Sequence, residues 1–129
     1  MSWSVINVAE MRSAIAEARN RFEDGFNQGD VAGAVRACYL AEACLLPLGG
    51  DIIRGREGIA RFWASAAREQ KLEDLHMTPL DLQPCGDSAA YEVGRCSFRR
   101  AGGAPEEVKY VVVWQREEGE WRLAVDAWN

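Results

Sequence analysis

Apolar positions early in the chain recur at spacings of three and four: Val8, Met11, Ile15, Ala18, Phe22 and Phe26. That period lines them on one face of an α-helix. Asn7 reads as its cap, with Glu10 three residues on as the reciprocal partner. Asn27-Gln28-Gly29 reads as its end, because glycine accepts the left-handed conformation beyond a last helical turn. Asp30 then caps a shorter helix with Val31, Ala34, Val35 and Cys38 on one side. From Tyr39 the pattern changes. Residues 43–47 read as a strand stopped by Pro47, 48–51 as a turn, and 51–53 as a short return strand. Gly55 precedes a third helix with an apolar stripe at Ile59, Phe62, Trp63, Ala66 and Ala67. The remainder reads as sheet: a loosely alternating run over 72–84, then strands over 89–99, 107–116 and 120–129. Helices first and a long antiparallel meander afterwards predict an α+β fold, with helices packed on one face of a curved sheet.

Length and charge narrow the function classes. The 129 residues make one domain, 1–129, without linkers, repeats or low-complexity stretches. The net charge of −5 comes with no clustered basic stripe, so neither nucleic acid nor an anionic membrane is an expected partner. The first dozen residues lack a basic segment followed by an apolar one, and no apolar run approaches the ~20 residues of a membrane span. A cytoplasmic location is expected. Cys38, Cys44, Cys85 and Cys96 form no CxxC pair, and His76 is the only histidine. Free thiols are therefore expected, with no metal and no cofactor implied. Five Trp, three Tyr and four Phe remain to be placed in a core, an interface or a pocket.

Several of these residues carry a family resemblance. Gly29-Asp30 opening a short helix, Tyr39, Ala43, the Ile53-Arg54-Gly55-Arg56 turn, Ile59 and Phe62-Trp63 resemble the nuclear transport factor 2-like superfamily. Lys109 to Trp114, Gly119, Trp121-Arg122-Leu123 and Asp126-Ala127-Trp128-Asn129 resemble its SnoaL-like branch, which includes many bacterial proteins. The resemblance runs from Val8 to Asn129. It implies a cystatin-like topology: a cone-shaped, half-open barrel whose bent sheet wraps the long first helix and leaves a deep apolar pocket. It also implies a homodimer through the outer face of the sheet. It does not imply one chemistry, since the superfamily mixes isomerases, cyclases, hydrolases and assembly domains. In the ketosteroid isomerase type, a tyrosine, an aspartate base and a protonated aspartic acid act together. Here those positions fall at Phe22, at Pro47 or Leu46, and at or beside Val111, so that constellation is not expected.

Strand alternation supplies a different set of candidates. With Asp126 and Trp128 facing into the cone, the matching inward residues are Ala90, Glu92, Gly94 and Cys96 on one strand and Asp74, His76 and Thr78 on another. One pocket would then hold His76, Glu92 and Asp126 as catalytic groups. Phe22, Phe26, Phe62, Trp63, Trp128 and Asn129 would contact the ligand, while Tyr110, Trp114 and Trp121 serve the outer face or the packing beneath it. Carboxyls in apolar surroundings acquire raised pKa values, which suits general acid–base work near neutral pH. The competing readings are structural. Asp126 would tie down the sheet end, Glu92 would pair with Arg95 or Arg122, His76 would be a surface residue, and a one-residue slip in register would exchange the faces. The expected function is binding of a small apolar molecule, with isomerase, cyclase or hydratase-type chemistry. The alternatives are a non-catalytic binding module and a homodimeric assembly module.

Overall fold

The computed structural model describes residues 5–129, with side chains from Asn7 onward; residues 1–4, where part of the leader reading falls, lie outside it. Helix α1 (Val5–Asn27) and helix α2 (Val31–Cys38) lead into strand β1 (Tyr39–Leu46). Strand β2 (Ile53–Arg54) and helix α3 (Arg56–Gln70) follow, then β3 (Leu72–Pro84), β4 (Ala89–Arg100), β5 (Glu106–Glu117) and β6 (Glu120–Trp128). The periodic residues of α1 are buried from Met11 through Phe26. Asn7 lies inside α1 rather than ahead of it, so it is not the expected cap. Asp30 does cap α2, accepting the Gly33 N–H at 3.2 Å. Lys71, in the left-handed conformation at φ 53°, ends α3.

The six strands form one open sheet in the order β2-β1-β6-β5-β4-β3. Every pair is antiparallel except β1–β6, which is parallel because the chain reaches β6 only after crossing α3 and the whole meander. The helices cover the inner face, with α1 lying against β3 and β6 and with α3 against β1. Among the described residues no helix is long and apolar enough to cross a membrane.

Two bulges decide which side chains face inward. On β6, Val125 pairs with Val113 but Leu123 pairs with Trp114, so Ala124 is the extra residue. An extra residue reverses alternation beyond it. Trp121 and Leu123 are therefore buried on the inner side, and Asp126 and Trp128 still face inward. On β3, the register shifts between Glu73 and His76, and Asp74 adopts φ 56° within the shift. Leu75 and Met77 turn inward there, and the expected inward set of Asp74, His76 and Thr78 is corrected.

Candidate functional site

Between α1, α3 and the sheet lies a cavity of about 440 Å³. Its wall is mostly apolar, and its only carboxylate among the described residues is Asp126. Laterally, strand pairing stacks the inner face into rows. Glu92, Val112 and Asp126 form one row, and Gly94, Tyr110 and Trp128 form the next row outward. Cys96 and Val108 follow, and Arg100 stands at the rim with Leu72. Trp63 lies beside the Asp126 end, and Gln70, seven residues on, lies at the rim. At 1.5 Å per residue the two are about 10 Å apart along α3.

An aromatic wall forms one side. Trp63 and Trp128 stack with centroids 5.0 Å apart and planes at 28°. Phe62 packs on both, at 5.3 Å and 6.0 Å. Phe22 lines the cavity from α1 and meets the Tyr39 ring edge-on at 5.8 Å.

At the inner end, the Tyr39 hydroxyl donates to Asp126 Oδ2. The Trp63 indole N–H donates to the same Tyr39 oxygen at 3.3 Å. Burial pushes the Asp126 carboxyl up to about 6; the Tyr39 hydrogen bond pulls it down, and the Glu92 charge adds to the rise. Burial, reinforced by the Asp126 charge, raises the Tyr39 phenol well above its ordinary value, so it keeps its proton. The Cys96 thiol, in the cavity wall, is pushed up to about 12, mainly by burial, and is a poor nucleophile.

Glu92 is not in the cavity wall. Its side chain is fully buried beneath α1, where Arg19 binds both carboxylate oxygens at 2.6 Å and 3.2 Å. The Tyr110 hydroxyl donates to Glu92 Oε2 at 2.5 Å and the Trp114 N–H to Oε1 at 3.2 Å. Tyr110 reaches it by lying across Gly94, where a Cβ would come within 2.5 Å of the phenol oxygen. Four donors on one carboxylate make a satisfied buried network, the condition under which a buried charge is tolerated.

His76 lies outside the cavity as well. Its side chain is 65% exposed, and Nδ1 meets Glu23 Oε1 at 2.9 Å. The three expected catalytic groups thus do not share one pocket: the β3 bulge turns His76 out, and Arg19 holds Glu92 behind Tyr110. Of the expected ligand contacts, Phe22, Phe62, Trp63 and Trp128 line the cavity. Phe26 sits behind Trp63, 6.0 Å from its ring. Asn129 is exposed and extends the ladder through backbone bonds to Lys109. Tyr110, expected on or beneath the outer face, is a wall residue of the cavity. Tyr39 was also missed as a site residue, because its meeting with Asp126 depends on a parallel pairing 87 residues apart in sequence. Arg19 left a legible signal: it sits in the apolar stripe between Ala18 and Phe22, where a cation requires a buried partner. Among the described residues no three His, Cys, Asp or Glu side chains converge as a metal cluster.

The family model of the SnoaL-like domain matches residues 19–124. The chain belongs to the SnoaL-like family. Solved structures with the same fold include an NTF2-like protein of unknown function from Shewanella oneidensis, at 17% identity and TM-score 0.78, covering 91% of this chain and 97% of that one. A cystatin-like domain of unknown function from Nostoc punctiforme superposes at TM-score 0.79 and 18% identity, over 92% of this chain and 75% of that one. A ketosteroid isomerase-like protein from Erwinia carotovora does so at TM-score 0.74 and 17% identity, over 90% and 92%. None of the curated proteins matches the sequence. This SnoaL-like chain therefore has the cystatin-like α+β fold, in a family that includes ligand-binding and isomerase-type members. The positions expected for the isomerase constellation are Phe22, Pro47 or Leu46, and Val111 or a residue beside it. Phe22 and Pro47 line the cavity, and Val111 is 44% exposed on the opposite face of the sheet.

Proposed function

We propose that the cavity binds a small, mostly apolar molecule and that Asp126 exchanges a proton with it. The supporting observation is one carboxyl, held near pKa 6 at the inner end of an aromatic cavity by Tyr39 and burial. A carboxyl poised there is divided between base and acid forms close to neutral pH, the condition for general acid–base transfer. In the forward step, Asp126 takes a proton from an O–H or an acidified C–H of the bound molecule, and in the return step it gives that proton back at another atom. Tyr39 orients the carboxylate, and Trp63 orients Tyr39. Hydrogen–deuterium exchange at the activated methylene of 2-tetralone, followed by NMR, tests the reading. The wild type should accelerate exchange saturably and Asp126→Asn should abolish the acceleration. Equal rates for both proteins would leave a binding function without proton transfer.

A second reading concerns assembly. On the outer face, Val93 and Val111 are direct cross-strand partners, 39% and 44% exposed. Val113, Val125 and Ala127 continue the block across β5 and β6 by their pairing. We propose that a second copy covers this uncharged valine block, because an isologous contact needs only a self-complementary patch.

A further inference from the structure

The polar atoms of the cavity are sorted by depth. At the inner end the strong donors are already committed: the Tyr39 O–H to Asp126, the Trp63 N–H to Tyr39 and the Tyr110 O–H to Glu92. What that end offers an incoming molecule is lone pairs, on the Asp126 carboxylate and the Tyr110 oxygen. Two further donors stand in the Tyr110 row and the one above it. These are the Trp128 indole N–H, without a hydrogen-bond partner among the described residues, and the weak Cys96 S–H, which lies 3.9 Å from the Ser97 carbonyl. A hydroxyl group suits this setting, since it donates to Asp126 and keeps lone pairs for Trp128. An ether leaves Asp126 Oδ1 without a donor while Tyr39 holds Oδ2, a desolvation loss with no return.

The rim has the opposite character. Arg100 Nε donates to Glu106 at 2.7 Å, and its Nη1 donates to Gln70 Oε1 at 2.8 Å. Its guanidinium is held against the Phe98 ring at 5.8 Å. The Nη2 edge of Arg100 and the amide N–H₂ of Gln70 have no partner among the described residues, and both residues line the cavity. Donors therefore stand at the rim and an acceptor at the inner end, with the stacked Trp63–Trp128 wall between them.

We infer that the ligand of this cavity is a flat aromatic molecule carrying a hydroxyl at its inner end and a carboxylate or carbonyl acceptor at its outer end. The inference rests on the reading of the cavity as a small-molecule site and adds the polarity and direction of what it holds. Glu106 neutralises part of the Arg100 charge, so the outer group is recognised by directed hydrogen bonds more than by net charge.

Isothermal titration at pH 8 with four naphthalenes tests it: 6-hydroxy-2-naphthoic acid, its 6-methoxy ether, 2-naphthol and naphthalene-2-carboxylic acid. The hydroxy acid should bind at least tenfold more tightly than the methoxy ether and more tightly than either singly substituted compound. Asp126→Asn supplies an amide donor, so it should narrow the gap between hydroxy and methoxy acids. Arg100→Met should weaken the hydroxy acid at least fivefold while leaving 2-naphthol unchanged. Equal binding of the hydroxy and methoxy acids overturns the inner assignment. A hydroxy acid no better than 2-naphthol overturns the outer one, and this wild-type comparison decides even where Arg100→Met fails to fold. Binding of all four with no preference leaves the small-molecule reading standing and removes this inference. Binding of none removes both.

Discussion

The Tyr39 hydroxyl donates to Asp126 across the one parallel strand pair of the sheet, joining the start of β1 to the end of β6. Two local irregularities make the meeting possible. The β1–β6 register shifts between Tyr39 and Cys44, and the β6 bulge at Ala124 turns Asp126 inward. The contact places a protonated phenol against a carboxyl in apolar surroundings. The proton on Asp126 is thereby set by two opposing effects, burial raising its pKa and the phenol lowering it.

That balance has a consequence for stability. Asp126 has a folded pKa of about 6 against an ordinary 3.8. A raised acid pKa means the folded state holds the proton more tightly, so the contribution is fully present below about pH 4. It is lost as pH rises toward about 6 and the folded carboxyl ionises. By linkage the loss is about 2 to 3 kcal/mol at most. Asp126→Asn keeps an acceptor for Tyr39 and does not titrate. The stability of wild type relative to this variant should therefore fall between pH 4 and about 6.5 and then stay level, as read by urea unfolding at a series of pH values. A difference that does not change with pH would show that the carboxyl is freely hydrated.

Glu92 should behave as a structural group. Glu92→Ala leaves the Arg19 guanidinium buried without a partner, for a loss of about 3 to 5 kcal/mol. Replacing both residues together, Arg19→Met with Glu92→Met, should recover much of that, because no charge is then left in the core. A double-mutant cycle by chemical denaturation measures the coupling. Additive effects would contradict the bidentate pairing.

His76→Ala should leave proton exchange and naphthalene binding unchanged, since the imidazole is exposed and pairs with Glu23 outside the cavity. Stability should change by about 1 kcal/mol, because the imidazole is exposed while the buried Glu23 carboxylate keeps the Met77 N–H as a donor. A large drop in exchange rate would return histidine to the mechanism.

Val111→Asp places a charge in the outer valine block. The wild type should sediment as a dimer at micromolar concentration and the variant as a monomer with an unchanged circular dichroism spectrum. A monomeric wild type would remove the assembly reading.

Much of the fold was legible because it follows from local chemistry. The α1 stripe, the Asp30 cap, the Gly55 entry into α3 and the strand runs after Leu72 all depend on spacing and on residues near in sequence. The aromatic residues of the cavity were partly legible for the same reason, since Phe22, Phe62 and Trp63 belong to helical stripes whose faces the period fixes. The titratable groups were not. Strand alternation has a period of two, so one inserted residue exchanges the faces, and nothing in the neighbourhood of Asp74 or Ala124 announces an insertion. The bulge on β3 removed His76 from the cavity. On β6 the bulge put Trp121 and Leu123 on the same side as Asp126.

Sequence alone determined the α+β order, the apolar stripes, the acidic surface and the family. Only the tertiary structure decided which carboxylate meets the cavity. Glu92 and Asp126 lie in one row across three strands, yet Arg19 reaches the first from α1 and Tyr39 reaches the second from β1. Each carboxylate takes its character from a partner more than 70 residues away in the chain, and such pairings are set by how the elements pack rather than by any local pattern.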